Sequence, residues 1–292
     1  MTLWQQIEQD ISAHRGSPFR ISEKQSVAGG DINKAYKICG GRSRYFVKTN
    51  LHSRVSMFEA EALALEALSR TESVRVPEPI SSGTCGQESY LVLNWLDLSG
   101  SPNSELFGRQ MAQLHRSLQP QFGFHVDNTI GSTPQLNPWM DSWVDFWQGQ
   151  RLGYQLELAR RNGFVGRLAE LGLELIENLP LFFRSYRPVA SLLHGDLWAG
   201  NWSGGENGQP IIYDPASYYG DREADLAMME LFGHPGRAFF AAYNEAYALD
   251  EGYGVRKNLY NLYHILNHAN LFGASYARQA EQMMRSLLAE IR

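Results

Sequence analysis

Two acids and one amide occur in a short stretch of this 292-residue chain. Asp196 and Asn201 lie in the run His-Gly-Asp-Leu-Trp-Ala-Gly-Asn, and Asp214 follows the apolar run Ile-Ile-Tyr. Phosphoryl transfer needs a carboxylate near the acceptor hydroxyl and oxygen ligands for Mg²⁺ beside the phosphates. The spacing therefore predicts Asp196 as the catalytic carboxylate, and Asn201 and Asp214 as magnesium ligands.

The segments around these residues bear on an alternative interpretation, in which the two acids belong to unrelated turns. Clusters containing Asp-Gly or Asn-Gly are common in ordinary loops. Residues 191–193 and 210–213, however, are short apolar runs on either side of a Gly-Gly-Glu-Asn-Gly turn. They favour the catalytic interpretation, and they predict that both acids emerge at the ends of one paired β-ribbon.

The composition indicates a globular protein rather than a nucleic-acid-binding or membrane protein. Hydrophobic residues make up 43% and charged residues 20% of the chain, which is long enough for two domains. A net charge of -5 and a pI near 5.9 argue against nonspecific binding of nucleic acid. We found no leader-like segment and no apolar run long enough to cross a bilayer, and Cys39 and Cys85 lack metal-ligand spacing. We expect a cytoplasmic protein with reduced cysteines.

The first third of the chain predicts a small antiparallel sheet with a phosphate-binding loop. Apolar-rich runs flank Gly40 and Gly41 and predict a β-hairpin whose second strand ends with Lys48. Upstream, Gly29 and Gly30 give the backbone the freedom to approach phosphates closely. An ordinary turn is the alternative for these two glycines, because the run is not a Gly-x-Gly-x-x-Gly motif.

A helix predicted over residues 56–69 carries an acid suited to hold a kinase lysine. At about 100° per residue, Glu61 falls on the apolar face with Phe58, whereas Glu59 falls on the opposite face. A buried acid is costly unless it is paired, so Lys48 would be the partner of Glu61. The alternative is a solvated pair on the surface.

The next apolar strand leads into a polar segment that predicts a hinge. The run from Tyr90 to Leu96 is apolar, and the residues after it include Gly100 and Pro102. We predict an N-terminal nucleotide-binding lobe over residues 1–96, a hinge over 97–103 and a C-terminal catalytic and substrate-binding lobe over 104–292. Adenine is expected to bind backbone groups of Asn94, Trp95 and Leu96.

Together, these motifs resemble those of the fructosamine-3-kinases, or ketosamine kinases, a branch of the aminoglycoside phosphotransferase and choline kinase-like superfamily. The resemblance runs through nearly the whole chain, and the Trp that follows the Leu of the catalytic loop separates it from the broader superfamily. It is carried by residues 29–33, 46–48, 58–61, 133–135, 150–151, 155–158, 194–201 and 214–223.

The resemblance implies both a fold and an activity. The implied fold is α+β and bilobal, as in protein kinases, with a small N-terminal lobe of antiparallel sheet plus helix and a larger, mainly helical C-terminal lobe. The implied activity is the ATP- and Mg²⁺-dependent phosphorylation of the sugar 3-hydroxyl of fructosamines or ribulosamines, either as small molecules or on glycated protein lysines, which promotes deglycation. Lys48 would hold the α- and β-phosphates and Glu61 would orient it.

Four residues are candidate substrate contacts. Trp198 could stack on the sugar, and it could equally pack the catalytic loop. Asp221, Arg222 and Glu223 form a charged turn at the start of a predicted helix, where capping and structural pairing are the alternative roles.

Two other functions remain as alternatives at the level of sequence. One is a related kinase that acts on an amino sugar, choline or a thiosugar, and the other is a nucleotide-binding pseudokinase scaffold. The presence of Lys48, Glu61, Asp196, Asn201 and Asp214 argues against the scaffold. We expect a monomer or weak dimer that binds neither nucleic acid nor membranes.

Overall fold

A five-stranded antiparallel sheet with one helix on each face forms the N-terminal part of the chain. The computed structural model describes residues 1–28 and 32–291. The strand order is β1-β2-β3-β5-β4. The elements are α1 (Leu3–Arg15), β1 (Glu23–Val27), β2 (Lys34–Gly40), β3 (Ser43–Leu51), α2 (Val55–Ser69), β4 (Pro79–Cys85) and β5 (Glu88–Asn94).

Alternation along the strands decides which side chains face the site. On β5, Tyr90 and Val92 pack in the cluster that contains α1, whereas Leu91 and Leu93 pack with α2. Successive side chains of a strand point to opposite faces, and Lys48 pairs with Leu91 across the β3–β5 ladder. The Lys48 side chain therefore projects toward α2, where Glu61 lies.

The described part of the remaining chain, residues 95–291, is mainly helical and contains three small antiparallel sheets. A long helix, α9, supplies much of its buried core, and a π-helical turn covers Trp147–Leu152. The elements are α3 (Ser104–Leu114), β6 (Leu118–Gln119), β7 (Asn128–Ile130), β8 (Thr133–Gln135), α4 (Trp143–Phe146), α5 (Gly153–Arg161), α6 (Arg167–Asn178), β9 (Ala190–Leu192), β10 (Trp202–Gly204), β11 (Pro210–Ile212), β12 (Tyr219–Gly220), α7 (Glu223–Leu231), α8 (Arg237–Ala246), α9 (Tyr253–Phe272) and α10 (Ala274–Glu290).

The prediction that both acids emerge at the ends of one paired β-ribbon is wrong. The β11 strand pairs with β10, whereas β9 lies between β12 and β6. The tight turn around residues 205–208 closes β10 onto β11, because the shortest loop has the lowest closure entropy. Asp196 and Asp214 consequently follow strands of two different sheets, and the backbone contacts described below bring them together.

Two other predictions about the fold agree with the structure. The α+β architecture with a small antiparallel sheet is confirmed, and so is the hairpin at Gly40 and Gly41. The lobe boundaries at 96/97 and 103/104 stay predictions. Among the described residues, no helix combines the length and the apolar character needed to cross a membrane.

Candidate active site

Lys48 lies between two carboxylates that come from distant parts of the chain. Its ammonium donates a hydrogen bond of 2.7 Å to Glu61 Oε1 and another to Asp214 Oδ1. Lys48 and Glu61 are almost fully buried, whereas 48% of the Asp214 side chain is exposed. The predicted pairing of Lys48 with Glu61 is therefore present in the structure.

Burial and charge act in opposite directions on this cluster. Burial lowers the pKa of Lys48, but Coulombic attraction to Asp214 and Glu61 outweighs it and holds that pKa above its ordinary value. Lys48 is thus a permanent cation at neutral pH. A fixed cation beside an open cavity suits a polyanion such as a triphosphate.

The catalytic loop, defined here as residues 194–201, is held by a buried carboxylate of α7. Asp225 accepts hydrogen bonds from the backbone N–H groups of His194 (2.7 Å) and Gly195 (2.8 Å). Its other contact is with Nε2 of the buried His115, at 3.2 Å. Burial opposes ionisation of Asp225, but these partners hold its pKa below the usual value. Asp225 therefore braces the catalytic loop from α7.

Close backbone packing joins the catalytic loop to the segment after Asp214. Gly195 has φ +84°, and a Cβ at this position would collide with the carbonyl oxygen of Ala216. The Ala216 N–H donates to the carbonyl of His194 at 2.9 Å. Only glycine fits here, because both the backbone conformation and the space exclude a side chain.

Asn201 links the two acids. Its amide nitrogen donates to the carbonyl (2.8 Å) and Oδ2 (3.1 Å) of Asp196, and lies 3.5 Å from the carbonyl of Asp214. Because the nitrogen is the donor in all three contacts, the amide oxygen is the atom suited to bind a cation. Asp214 itself has φ +58°, a strained conformation of the kind found at functional sites.

The donor set fits Mg²⁺ better than a transition metal. The described residues contain no group of three or more His, Cys, Asp or Glu side chains that could hold a metal. One carboxylate and one amide oxygen, completed by phosphate oxygens and water, are a typical set of ligands for Mg²⁺. Asn201 and Asp214 therefore fit a metal that arrives with a nucleotide.

Asp196 has an environment suited to a base. Burial raises the pKa of its carboxyl to about 7, and the charge of Asp214 adds to the shift. A carboxylate with a raised pKa accepts a proton more readily than an ordinary aspartate does.

A cavity of about 200 Å³ brings these residues together. Trp198 lies at its wall with 41% of its surface exposed, and a Cβ on Gly200 would collide with its ring. The indole thus packs against the catalytic loop and still presents surface to the cavity. The lining residues are Ile32, Asn33, Lys48, Met57, Glu61, Asn128, Thr129, Gly131, Asp196, Trp198, Asn201, Asp214, Pro215 and Ala216.

The structure does not test the predicted contacts with the nucleotide at Gly29, Gly30 and residues 94–96. Gly29 and Gly30 fall outside the described residues. Asn94, Trp95 and Leu96 follow or end β5 and do not line this cavity. Trp95 donates from its backbone to the carbonyl of Arg44 at 3.3 Å. Their contacts with adenine stay a prediction.

The structure does not bring Asp221, Arg222 and Glu223 to the cavity. All three are buried with partners inside the protein. Asp221 accepts from the hydroxyls of Tyr186 (2.9 Å) and Tyr260 (2.5 Å).

Arg222 and Glu223 are equally engaged. Arg222 donates to the carbonyls of Tyr247 (2.9 Å) and Ala248 (2.5 Å). Glu223 accepts two hydrogen bonds from Arg256, at 2.7 and 2.9 Å. With their polar groups used in this way, these residues tie α7 to the neighbouring helices, which is the structural alternative considered for them.

The β7–β8 hairpin contributes to the site and was not predicted from the sequence. Asn128, Thr129 and Gly131 from this hairpin line the cavity. Gln135 donates to Asn128 Oδ1 (2.8 Å) and to the carbonyl of Ala216 (3.1 Å). Gly131 between two short runs, Asn-Thr-Ile and Ser-Thr-Pro, was the available signal for a turn.

Known proteins match this chain over nearly its full length. A family model described as fructosamine kinase matches residues 3–290. A Synechocystis protein named as a probable ketoamine kinase is 48% identical over 288 residues, which cover 98% of this chain and 97% of the relative. The protein-ribulosamine 3-kinase, chloroplastic, of Arabidopsis thaliana is 41% identical over 279 residues, covering 94% of this chain and 85% of the relative.

Solved structures agree with these matches. A Haemophilus somnus protein described as a candidate fructosamine-3-kinase superposes with a TM-score of 0.89 at 31% identity, covering 98% of this chain and 100% of the other. An aminoglycoside phosphotransferase bound to AMP-PNP and hygromycin B gives a TM-score of 0.63 at 14% identity, with 97% of each chain covered, which shows the kinase-like fold alone. The predicted resemblance and fold are confirmed, and the chain belongs to the fructosamine kinase family of ATP-dependent phosphotransferases.

Proposed function

We propose that this protein is a ketosamine 3-kinase, which uses ATP to phosphorylate the sugar 3-hydroxyl of fructosamines or ribulosamines and so promotes deglycation. The acceptors are adducts of small amines or of protein lysines. The observation that carries the proposal is the convergence of Lys48, Asp196 and Asp214 on one cavity in a chain of this family. Relatives named ketoamine kinase and protein-ribulosamine 3-kinase support the acceptor class.

In the proposed mechanism, the oxygen of the acceptor hydroxyl attacks the γ-phosphorus, and Asp196 receives the proton of that hydroxyl. The bond between the γ-phosphorus and the β-γ bridging oxygen breaks, and ADP leaves. Lys48, oriented by Glu61, binds the α- and β-phosphates. Mg²⁺ would neutralise phosphate charge when bound. Asn201 and Asp214 are the residues that would hold it.

The remaining contacts belong to the same proposal. Gly29 and Gly30 supply backbone N–H groups to the phosphates, and the backbone at residues 94–96 binds adenine. Trp198 forms the wall against the sugar, because its indole already stands exposed at the cavity.

The setting of the enzyme is also part of the proposal. We place it in the cytoplasm as a monomer or weak dimer, since ATP is available there and Cys39 and Cys85 are unpaired. Cell fractionation and the molar mass in solution test these two statements.

The test is turnover with magnesium and ATP on a panel of a ribulosamine, a fructosamine, an aminoglycoside and choline, with the position of phosphate read by phosphorus and proton NMR. We expect sugar 3-phosphates from the two ketosamines. Asp196→Asn should lower kcat and kcat/KM together by roughly 10²- to 10⁴-fold, because it removes a proton acceptor needed in the transition state.

The matched control is Asp145→Asn, which makes the same change at an exposed residue outside the cavity. Turnover of choline or the aminoglycoside with none of the ketosamines would refute the acceptor class. Near-normal turnover by Asp196→Asn would refute the role of that carboxylate.

A further inference from the structure

Large apolar side chains stand exposed around the mouth of the cavity. The exposed fractions are 41% for Ile32, 41% for Trp198, 38% for Leu271 and 62% for Phe272. We call these four residues the apolar rim. Ile32 and Trp198 also line the cavity itself, so the rim continues directly from the site of phosphoryl transfer.

One side of the rim is closed over the β7–β8 hairpin. A Cβ built on Gly131 would lie 3.5 Å from Leu271 Cδ1 and 3.9 Å from Ile32 Cδ1. Gly131 also lines the cavity. The side chains from the loop before β2 and from the end of α9 therefore converge at the cavity mouth.

The other side connects the end of α9 to the catalytic loop through aromatic contacts. The ring of Phe272 lies 5.5 Å from that of His268, which lies 4.8 Å from that of Phe232. The carbonyl of Phe232 accepts from the N–H of Ala199, the residue after Trp198. These contacts connect the Phe272 side chain, which follows Leu271 at the end of α9, to the catalytic loop.

The polarity changes from the cavity to the rim. Four charged side chains line the cavity, namely Lys48, Glu61, Asp196 and Asp214, together with the polar Asn33, Asn128 and Thr129. None of the four rim residues is charged or carries a hydroxyl. A ligand that spans both regions must be polar at the reacting end and apolar at the other.

A ketosamine has this polarity when its amine carries an alkyl chain. The reacting hydroxyl is on C3 and the nitrogen is on C1, so the substituent of the nitrogen begins only a few bonds from the phosphorylated oxygen. The polyhydroxyl tail of the sugar matches the amides and hydroxyl of the cavity. The methylene chain of an alkylamine, like the stem of a lysine side chain, matches the rim.

We propose that the apolar rim binds the alkyl substituent of the amine and so selects adducts of long-chain primary amines, including the lysine side chain. The proposal rests on the proposed ketosamine kinase function. It assigns Leu271 and Phe272, at the C-terminal end of α9, to acceptor selection.

The test is a series of ribulosamines made from methylamine, butylamine and hexylamine. Full burial of a methylene group is worth about fourfold in binding, and the half-exposed rim buries about half of each group, so we expect kcat/KM to rise about twofold per methylene. The rise in kcat/KM should come from a lower KM at unchanged kcat, because binding remote from the reacting centre is the same in the ground and transition states.

Leu271→Ser and Phe272→Ser should each reduce this dependence on chain length. The matched control is Leu173→Ser on α6, where the leucine is 66% exposed and lies outside the cavity and the rim. The control should keep the slope of the unmodified protein.

The outcomes separate this proposal from the function on which it rests. Absence of turnover with every ribulosamine would overturn the proposed function. Turnover of all three adducts with equal kcat/KM would overturn the role of the rim alone. A slope that persists unchanged in both rim variants would overturn the assignment of Leu271 and Phe272.

Discussion

At Lys48, two carboxylates hold one ammonium group, and they are not equivalent. Glu61 is buried on α2 and its packing fixes its position, whereas almost half of the Asp214 side chain is open to solvent. Asp214 is therefore the partner that can turn from Lys48 toward a metal, while Glu61 keeps the ammonium in place. This division of roles follows from burial and could not be derived from residue type.

Glu61→Gln tests the fixed half of this cluster. A hydrogen bond to a charged group is worth about 1.5–3 kcal/mol, so we expect kcat/KM for ATP to fall by roughly 10- to 100-fold. The matched control is Glu59→Gln, the same change two residues away on the exposed face of α2. Equal kinetics of the two variants would contradict the role of Glu61.

The buried side chain of His264 should make the stability of the protein depend on pH. Burial lowers the pKa of His264 to about 3, with a smaller contribution from His268. Below its ordinary value of 6.5, the unfolded chain binds a proton that the folded protein does not bind, so stability is lost as the pH falls from 6.5 toward 3. We expect the contribution of His264 to fall by about 2 kcal/mol between about pH 6.5 and pH 5, whereas the raised pKa values of Glu61, Asp196 and Glu223 stabilise the folded protein as the pH falls.

Urea denaturation at about pH 8 and about pH 5 measures this loss. His264→Gln should remove the histidine contribution, so between about pH 8 and about pH 5 its change in stability should be about 2 kcal/mol more favourable than that of the unmodified protein. His14→Gln changes an exposed histidine of α1 and should behave like the unmodified protein. An identical pH dependence in the His264 variant would show that another group is responsible.

Residue-level prediction from sequence succeeded where chemistry dictates spacing. The helical phase placed Glu61 on the buried face, and the catalytic loop motif placed Asp196 beside Asn201. It did not locate Asp221, because the choice between substrate contact and internal pairing depends on Tyr186 and Tyr260, which are distant in sequence. No local pattern reports such partners.

At the scale of elements, local sequence patterns predicted hairpins and helices between neighbouring residues, but they did not predict the pairing of strands that are distant in sequence. The β2–β3 hairpin and helix α2 follow from turn residues and apolar periodicity, and both are present. The pairing of β9 with β12 joins strands separated by the catalytic loop and β10–β11. Such short strands carry little pattern of their own, so only the tertiary structure selects their partners.

The β7–β8 hairpin acts as a support for the segment after Asp214. Gln135 is buried, donates to Asn128 and to the carbonyl of Ala216, and accepts from the hydroxyl of Tyr263 at 2.8 Å. Asn128 in turn donates to the carbonyl of Ser217 at 2.9 Å. The hairpin therefore holds the segment that follows Asp214 through these hydrogen bonds.

Gln135→Leu should loosen that segment. Each buried partner left unpaired costs about 1–3 kcal/mol, so we expect the free energy of unfolding to fall by at least about 2 kcal/mol. Small displacements near reacting groups are costly, so kcat should fall on the order of tenfold. Hydrogen exchange at residues 214–218 should accelerate. The control is Gln121→Leu, which removes one exposed hydrogen bond to Asp141. Unchanged hydrogen exchange in the Gln135 variant would contradict the role of the hairpin in holding residues 214–218.

At the scale of the whole molecule, two parts of the chain with different architectures supply the residues of the candidate active site. Lys48 and Glu61 come from the five-stranded sheet and its helix, whereas Asp196, Asn201 and Asp214 come from the mainly helical part. The ion pair between Lys48 and Asp214 joins the two parts. A nucleotide with its metal would contact both parts, and its binding energy would therefore stabilise the complete fold.

Thermal unfolding with a non-hydrolysable ATP analogue measures this coupling. At a ligand concentration of 100 times Kd, binding to the folded state alone contributes about 2.7 kcal/mol, which corresponds to a rise in Tm of about 4 °C for a chain of this size. We expect a larger rise with Mg²⁺ than with the analogue alone, because Asn201 and Asp214 bind phosphate oxygens only through a cation. Asp214→Ala should abolish the Mg²⁺-dependent increment and Asp145→Ala should keep it. A full Mg²⁺-dependent increment in the Asp214→Ala variant would show that other residues hold the metal, because alanine has no carboxylate that could bind it.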